Sequence, residues 1–174
     1  MSSPRSAKFA LPLQVAAVCY RRKAAGIEFL LVNTNGGSKW TFPKGAPDAR
    51  LSHSRAAERE ALEEAGAVGI IEPRHFHLYL HSKGVFWQSG GVQEYVVKAF
   101  LMEVQQVQRP DETLRNPTWF RAEDARKALA KGREIKYAQE LWNVIDRACE
   151  RISREDSNPV RYTEPRNART LIPY

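Results

Sequence analysis

"PKGAPDARLSHSRAAEREALEEAGA", residues 43–67, sets a Pro-Lys-Gly turn ahead of a run of alanine, leucine, arginine and glutamate and closes on a glycine. Those residues are strong helix formers, Ser52 or Ser54 suits an N-cap, and Gly66 falls just past the end. The stretch predicts a helix over 52–65. On it Glu60, Glu63 and Glu64 share one face, because positions i, i+3 and i+4 are neighbours. Like charges four apart cost a helix about 0.2–0.5 kcal/mol per pair, with no structural return. A solvated acidic face laced with Arg55 and Arg59 is the plain alternative. A divalent cation removes the conflict: Mg²⁺ prefers carboxylate oxygens and completes its shell with waters and substrate phosphates. Such an ion polarises a phosphoryl oxygen and acidifies a water, so the chemistry indicated is hydrolysis of a phosphoanhydride. Gly45 permits a close backbone turn before the helix, and Lys44 offers a point charge to a phosphate.

Outward from the helix, "LQVAAVCY" (13–20) and "IEFLLV" (27–32) read as strands joined by the turn "RRKAAG", and "KWTF" (39–42) as a short third strand stopped by Pro43. "HFHLYLH" (75–81) and "QEYVVKAFLMEV" (93–104) follow as strands, separated by a glycine-bearing loop. "TWFR" leads into "AEDARKALA" (122–130), and "EIKYAQELWNVIDRACERI" (134–152) carries apolar residues at helical spacing. The organisation expected is a flexible leader over 1–10, one domain over 11–152 and a polar tail over 153–174. A length of 174 residues suits one such domain.

The charge is uneven. Net charge is +7, and residues 1–50 hold eight Lys and Arg against two Asp and Glu. A local basic field of this kind attracts polyphosphates or nucleic acid. The apolar runs are too short to cross a bilayer, no apolar h-region follows the basic N-terminus, and two widely separated cysteines fit a reducing compartment; the expectation is a cytoplasmic protein without a membrane partner.

Gly45 to Ala67 resembles the Nudix box, G-x5-E-x7-R-E-U-x-E-E-x-G-U with U aliphatic. Gly45, Arg59, Glu60, Glu63, Glu64 and Gly66 stand at the box spacing, Ala61 and Ala67 fill aliphatic positions, and Leu51 replaces a glutamate that in the family supports the box arginine. Looser similarity over most of 13–130 extends to the diphosphoinositol polyphosphate and diadenosine polyphosphate phosphohydrolase branch. The resemblance implies the Nudix fold, an α/β architecture with a mixed central β-sheet sandwiched between helices. It implies Mg²⁺ or Mn²⁺ as cofactor, with Glu60, Glu63 and Glu64 as metal ligands. Glu63 or Glu64 would activate water and Arg59 would orient one of the glutamates. The substrates implied are diphosphoinositol polyphosphates or dinucleoside polyphosphates. Removal of pyrophosphate from RNA 5′ ends, or binding of a phosphorylated ligand without cleavage, are the alternatives, the second resting on Leu51.

Lys39, Lys44, Arg133 and Lys136 are candidates to hold substrate phosphates, and Glu94 is a candidate fourth acid. His53, His75, His77 and His81 lack zinc-type spacing; the last three read as one side of an alternating strand. Trp40, Trp119 and Trp142 read as core anchors, whereas Phe86 and Trp87 are candidates to contact a substrate ring.

Overall fold

The computed structural model describes residues 10–84 and 91–158. Its centre is β1 (Leu13–Lys23), whose residues 15–20 are all buried. An uninterrupted apolar run in a strand means that both faces are covered, and here they are. Ala16, Val18 and Tyr20 join one core cluster; Val15, Ala17 and Cys19 join another on the opposite face.

The hairpin partner β2 (Gly26–Asn33) runs antiparallel to β1, pairing Tyr20 with Phe29 and Lys23 with Gly26. Only Ala24 and Ala25 lie between the two strands, so the turn is tighter than "RRKAAG" suggests. On its other edge β2 carries β3 (Trp40–Thr41) and β8 (Thr118–Arg121). The other side of β1 pairs in parallel with the long β7 (Val92–Val107), placing Val15 opposite Lys98. β7 then carries β6 (His77–Gly84) and β5 (Ala67–Ile71), both antiparallel. The sheet is therefore mixed, as expected. Three strands were not legible in the sequence: β5; the two-residue β4 (Lys44–Gly45), read as a turn but paired with Ala16 and Val15 of β1; and β8, read only as a run leading into the next helix.

Helix α1 (His53–Ala65) covers one face of the sheet. Ser52 caps it by accepting a hydrogen bond from the Arg55 N–H, and Gly66 ends it in the left-handed conformation at φ 65°. A side chain at residue 66 would collide with the Gln108 carbonyl oxygen, so glycine is required twice over. The helix buries Ala56, Ala57, Ala61 and Ala65, and side chains this small let its backbone approach the sheet closely. On the opposite face lie α2 (Ala122–Ala130) and α3 (Ile135–Ser157). α3 buries Leu141, Val144, Ile145, Ala148 and Ile152 along one stripe and continues helical through 153–157. Trp40 meets Phe120 edge-on at 4.9 Å, and Trp142 donates its indole N–H to the Arg126 carbonyl at 2.9 Å. No helix of the described residues is long and apolar enough to cross a membrane.

Candidate active site

The sheet brings the Lys44–Gly45 bridge beside the middle of α1, and Gly45 makes that approach possible. A Cβ at residue 45 would overlap Glu60 Oε1 and Cδ and lie 2.8 Å from Oε2, so the Glu60 carboxylate occupies the space that glycine leaves. Burial, followed by repulsion from Glu63, raises the Glu60 pKa above the usual carboxylate range. The box glycine and the box glutamate are thus one packing unit.

One turn further, Glu64 is the most enclosed acid of the helix, 4% exposed. Its Oε1 lies 3.5 Å from Arg115 Nη2, and its buried Oε2 has no hydrogen-bond partner. A buried carboxylate oxygen without a donor is costly, and the group answers by holding its proton more tightly. Burial pushes its pKa up to about 7, against the pull of Arg115 and Lys44 and with a further push from Glu60. Lys44 moves the other way. Burial drops it to about 8, opposed by Glu64 and reinforced by Arg133, Arg115 and Lys83.

Glu63 stands apart, 40% exposed on its side chain, with Arg59 Nε 3.8 Å from its Oε1. The stronger partner of Arg59 is Asp48, which accepts from its Nη1 at 2.8 Å. Arg55 is engaged with Glu58 at 2.6 Å and does nothing to relieve the triplet. Among the described residues no three His, Cys, Asp or Glu side chains converge into a ready-made metal cage. The donor set nevertheless fits a small hard cation. Mg²⁺ is usually held by one or two carboxylates, with waters and substrate phosphates completing the shell. The unpartnered Glu64 oxygen and the Glu60 carboxylate at Gly45 supply two.

Beside the acids the structure gathers cations. His81, on the same side of β6 as the buried Tyr79, has its pKa pushed down to about 3, by burial first and then by Lys44, Arg133, Lys83 and Lys39. The imidazole is neutral at physiological pH, and four cations share its surroundings. Arg133 is fixed by donating to the Leu129 carbonyl at 2.6 Å, and its own pKa is lowered by burial. The Lys39 side chain runs beside Gly132 in the α2–α3 connection. Three of the four residues expected to hold phosphates, Lys39, Lys44 and Arg133, therefore come together. The fourth, Lys136, is 3.5 Å from Glu94, an ion pair that occupies both this lysine and the candidate fourth acid.

Of the other histidines, His53 accepts from Lys98 at 3.1 Å when its Nδ1 is unprotonated, and His77 and His81 lie on β6. His75 precedes that strand and meets the Phe100 ring at 6.1 Å, which corrects its reading as part of an alternating face. Phe86 and Trp87 lie outside the described residues.

Sequence reasoning missed Arg115, Asp48 and Lys83. Arg115 sits in a polar linker without a period. The fold positions it through paired backbone bonds: Asn33 N–H donates to the Arg115 carbonyl at 2.7 Å, and Glu112 N–H to the Glu63 carbonyl at 2.9 Å. That loop staples the end of α1 to β2 and walls the acidic side of the site. For Asp48 a signal was present, a carboxylate three positions before a box position that lacks one.

The NUDIX domain model matches residues 11–141. Nudix hydrolase 18, mitochondrial, of Arabidopsis thaliana is 32% identical over 123 residues, spanning 66% of each protein. Nudix hydrolase 17, mitochondrial, of the same plant is 26% identical over 156 residues, 83% of this chain and 78% of that one. Among solved structures, a C. elegans Ap4A hydrolase binary complex superimposes with a TM-score of 0.59 at 21% identity, covering 82% of this chain and 98% of that one. The NUDIX domain of Shewanella oneidensis NrtR complexed with ADP ribose gives 0.59 at 18% identity, covering 86% and 94%. At such identities the structural likeness speaks to the fold.

Proposed function

This chain belongs to the Nudix hydrolase family, whose members are pyrophosphohydrolases, and from that premise we propose that it is a metal-dependent enzyme cleaving phosphoanhydrides in diphosphoinositol polyphosphates or dinucleoside polyphosphates. The observation that carries the substrate reading is the group of Lys39, Lys44, Lys83 and Arg133 around His81, next to Glu64. A substrate with few charges needs no such density, whereas a chain of phosphates neutralises it.

Glu60 and Glu64 would hold a Mg²⁺ or Mn²⁺ ion, which when bound supplies Lewis-acid polarisation of a phosphoryl oxygen and acidifies a water. The other roles belong to the chain. Lys44 and Arg133 fix the phosphates, Arg133 through a guanidinium already oriented by Leu129. Arg115 beside Glu64 favours its ionised form, the form needed both to hold a cation and to accept a proton. Glu63, open to solvent next to Arg59, would take a proton from water on the exposed side of the helix.

The test is product release from diphosphoinositol polyphosphate, diadenosine polyphosphate, ADP-ribose and 5′-triphosphorylated RNA, with Mg²⁺, with Mn²⁺ and with chelator. Metal-dependent cleavage of one of the first two, lost by at least tenfold in E64Q and reduced in kcat/KM by K44M, is expected. Preference for the RNA would redirect the substrate reading. Binding without cleavage of any would refute the enzymatic one.

A further inference from the structure

The family resemblance leaves a gap at Leu51, where the box pattern has the carboxylate that supports Arg59. We propose that Asp48 fills that gap as a positioning residue, anchoring the Arg59 guanidinium so that its Nε edge faces Glu63. The inference rests on the enzymatic reading above for its kinetic consequence, but its geometry is independent of it.

Asp48 Oδ2 accepts from Arg59 Nη1 at 2.8 Å and also from Arg50 Nη2 at 2.9 Å. Its Oδ1 accepts from the Arg50 backbone N–H at 2.9 Å and from Arg50 Nε at 3.1 Å. The Leu51 N–H donates to the Asp48 carbonyl at 3.0 Å, closing a turn that carries the aspartate onto the helix. With the side chain only 13% exposed, the carboxylate is held on both oxygens and has one orientation. The Arg59 guanidinium, gripped at Nη1, then leaves Nε 3.8 Å from Glu63 Oε1. Without the anchor this arginine, more than a third exposed, swings freely and Glu63 loses its fixed neighbour.

Leu51 and Arg59 line the same groove, together with Leu62, Val68 and Met102. A glutamate at 51 therefore stands within reach of Arg59 from another side, which gives a rescue that a purely structural role would not show. The experiment compares wild type, D48N, L51E and D48N/L51E, all in the full chain. Two signals are read: kcat and KM on the best substrate of the panel, and the Arg59 Nε–H resonance by ¹⁵N NMR, which needs neither metal nor substrate.

A positioned proton acceptor contributes typically about 10²–10⁴-fold to rate. Loosening Glu63 without removing it forfeits part of that, so D48N is expected to lose about tenfold in kcat with KM within about twofold, and to broaden the Arg59 resonance. D48N/L51E is expected to recover most of both. If wild type cleaves nothing, the enzymatic reading fails while the resonance still decides whether Asp48 anchors Arg59. An unaltered resonance in D48N overturns the proposal. So does an altered resonance with kcat unchanged, and so does failure of D48N/L51E to recover either signal lost in D48N.

Discussion

Gly45→Ala separates stability from activity. The new methyl would overlap Glu60 Oε1 and Cδ and lie 2.8 Å from Oε2. Ordinary contact distances are about 3.5 Å or more, so the Glu60 carboxylate must retreat by about an ångström. What yields is the far end of a flexible side chain, and the strand bridge between Lys44–Gly45 and β1 is backbone and survives. The folded state therefore loses little. Replacing a glycine by alanine where the conformation allows it restricts the unfolded chain, a gain of about 0.4–1 kcal/mol that offsets the carboxylate's displacement. Chemistry is less forgiving: a misplacement of about 1 Å costs on the order of 10²-fold in rate. The expected result is a melting temperature within a few degrees of wild type, with kcat/KM down about a hundredfold and a higher Mg²⁺ concentration needed for half-maximal rate. Thermal unfolding followed by circular dichroism, and a metal titration of product release, measure the two. Wild-type activity and metal dependence in G45A would refute the claim that Gly45 exists to seat Glu60.

The Glu64 share of the metal-free stability should fall as pH rises from about 4.5 to about 7, because folded Glu64 keeps its proton up to about 7 while the unfolded chain releases it near the ordinary value; His81, held neutral in the fold, contributes in the opposite direction and is common to wild type and E64Q. At Glu64 the folded state binds more protons over that window, so wild type should lose about 3 kcal/mol relative to E64Q between its two ends; equal slopes in urea titrations of both would disprove it. Saturating Mg²⁺ should flatten the wild-type slope, since a bound cation favours the ionised carboxylate. Ala61→Leu, at a fully buried position between α1 and the sheet, should destabilise by about 1–3 kcal/mol through overpacking, and an unchanged denaturant midpoint would show slack under the helix.

The helix of the box and its caps were legible because alanine-rich composition, Ser52 and Gly66 act within a few residues of one another. The long apolar runs of β1, β2 and β7 were legible for the same local reason. β5 was not: Val68 and Ile70 are exposed and Gly69 interrupts the pattern, so its identity comes from pairing with β7. Lys44–Gly45 becomes a strand only because β1 lies beside it. The site shows the same division. Spacing put the three glutamates on one helix, but which of them is enclosed depends on Arg115, Lys44 and Gly45 arriving from other elements. Arg133 and Lys39, ninety-four positions apart by their numbers, meet only through folding. No local pattern records that, nor the diversion of Lys136 to Glu94.

The alternation of β1 between two cores has a dynamic consequence. Its odd residues serve the α1 side and its even residues the α3 side, so neither half of the sandwich can open without withdrawing contacts from the other. The acids on α1 and the cations gathered beside them are thereby coupled to one cooperative unit. Amides of β1 should be the last to exchange with solvent, opening only with global unfolding, while the solvent-facing end of β5 exchanges through local fraying. A strand buried on both faces thus keeps the acids and the cations of the candidate site in register.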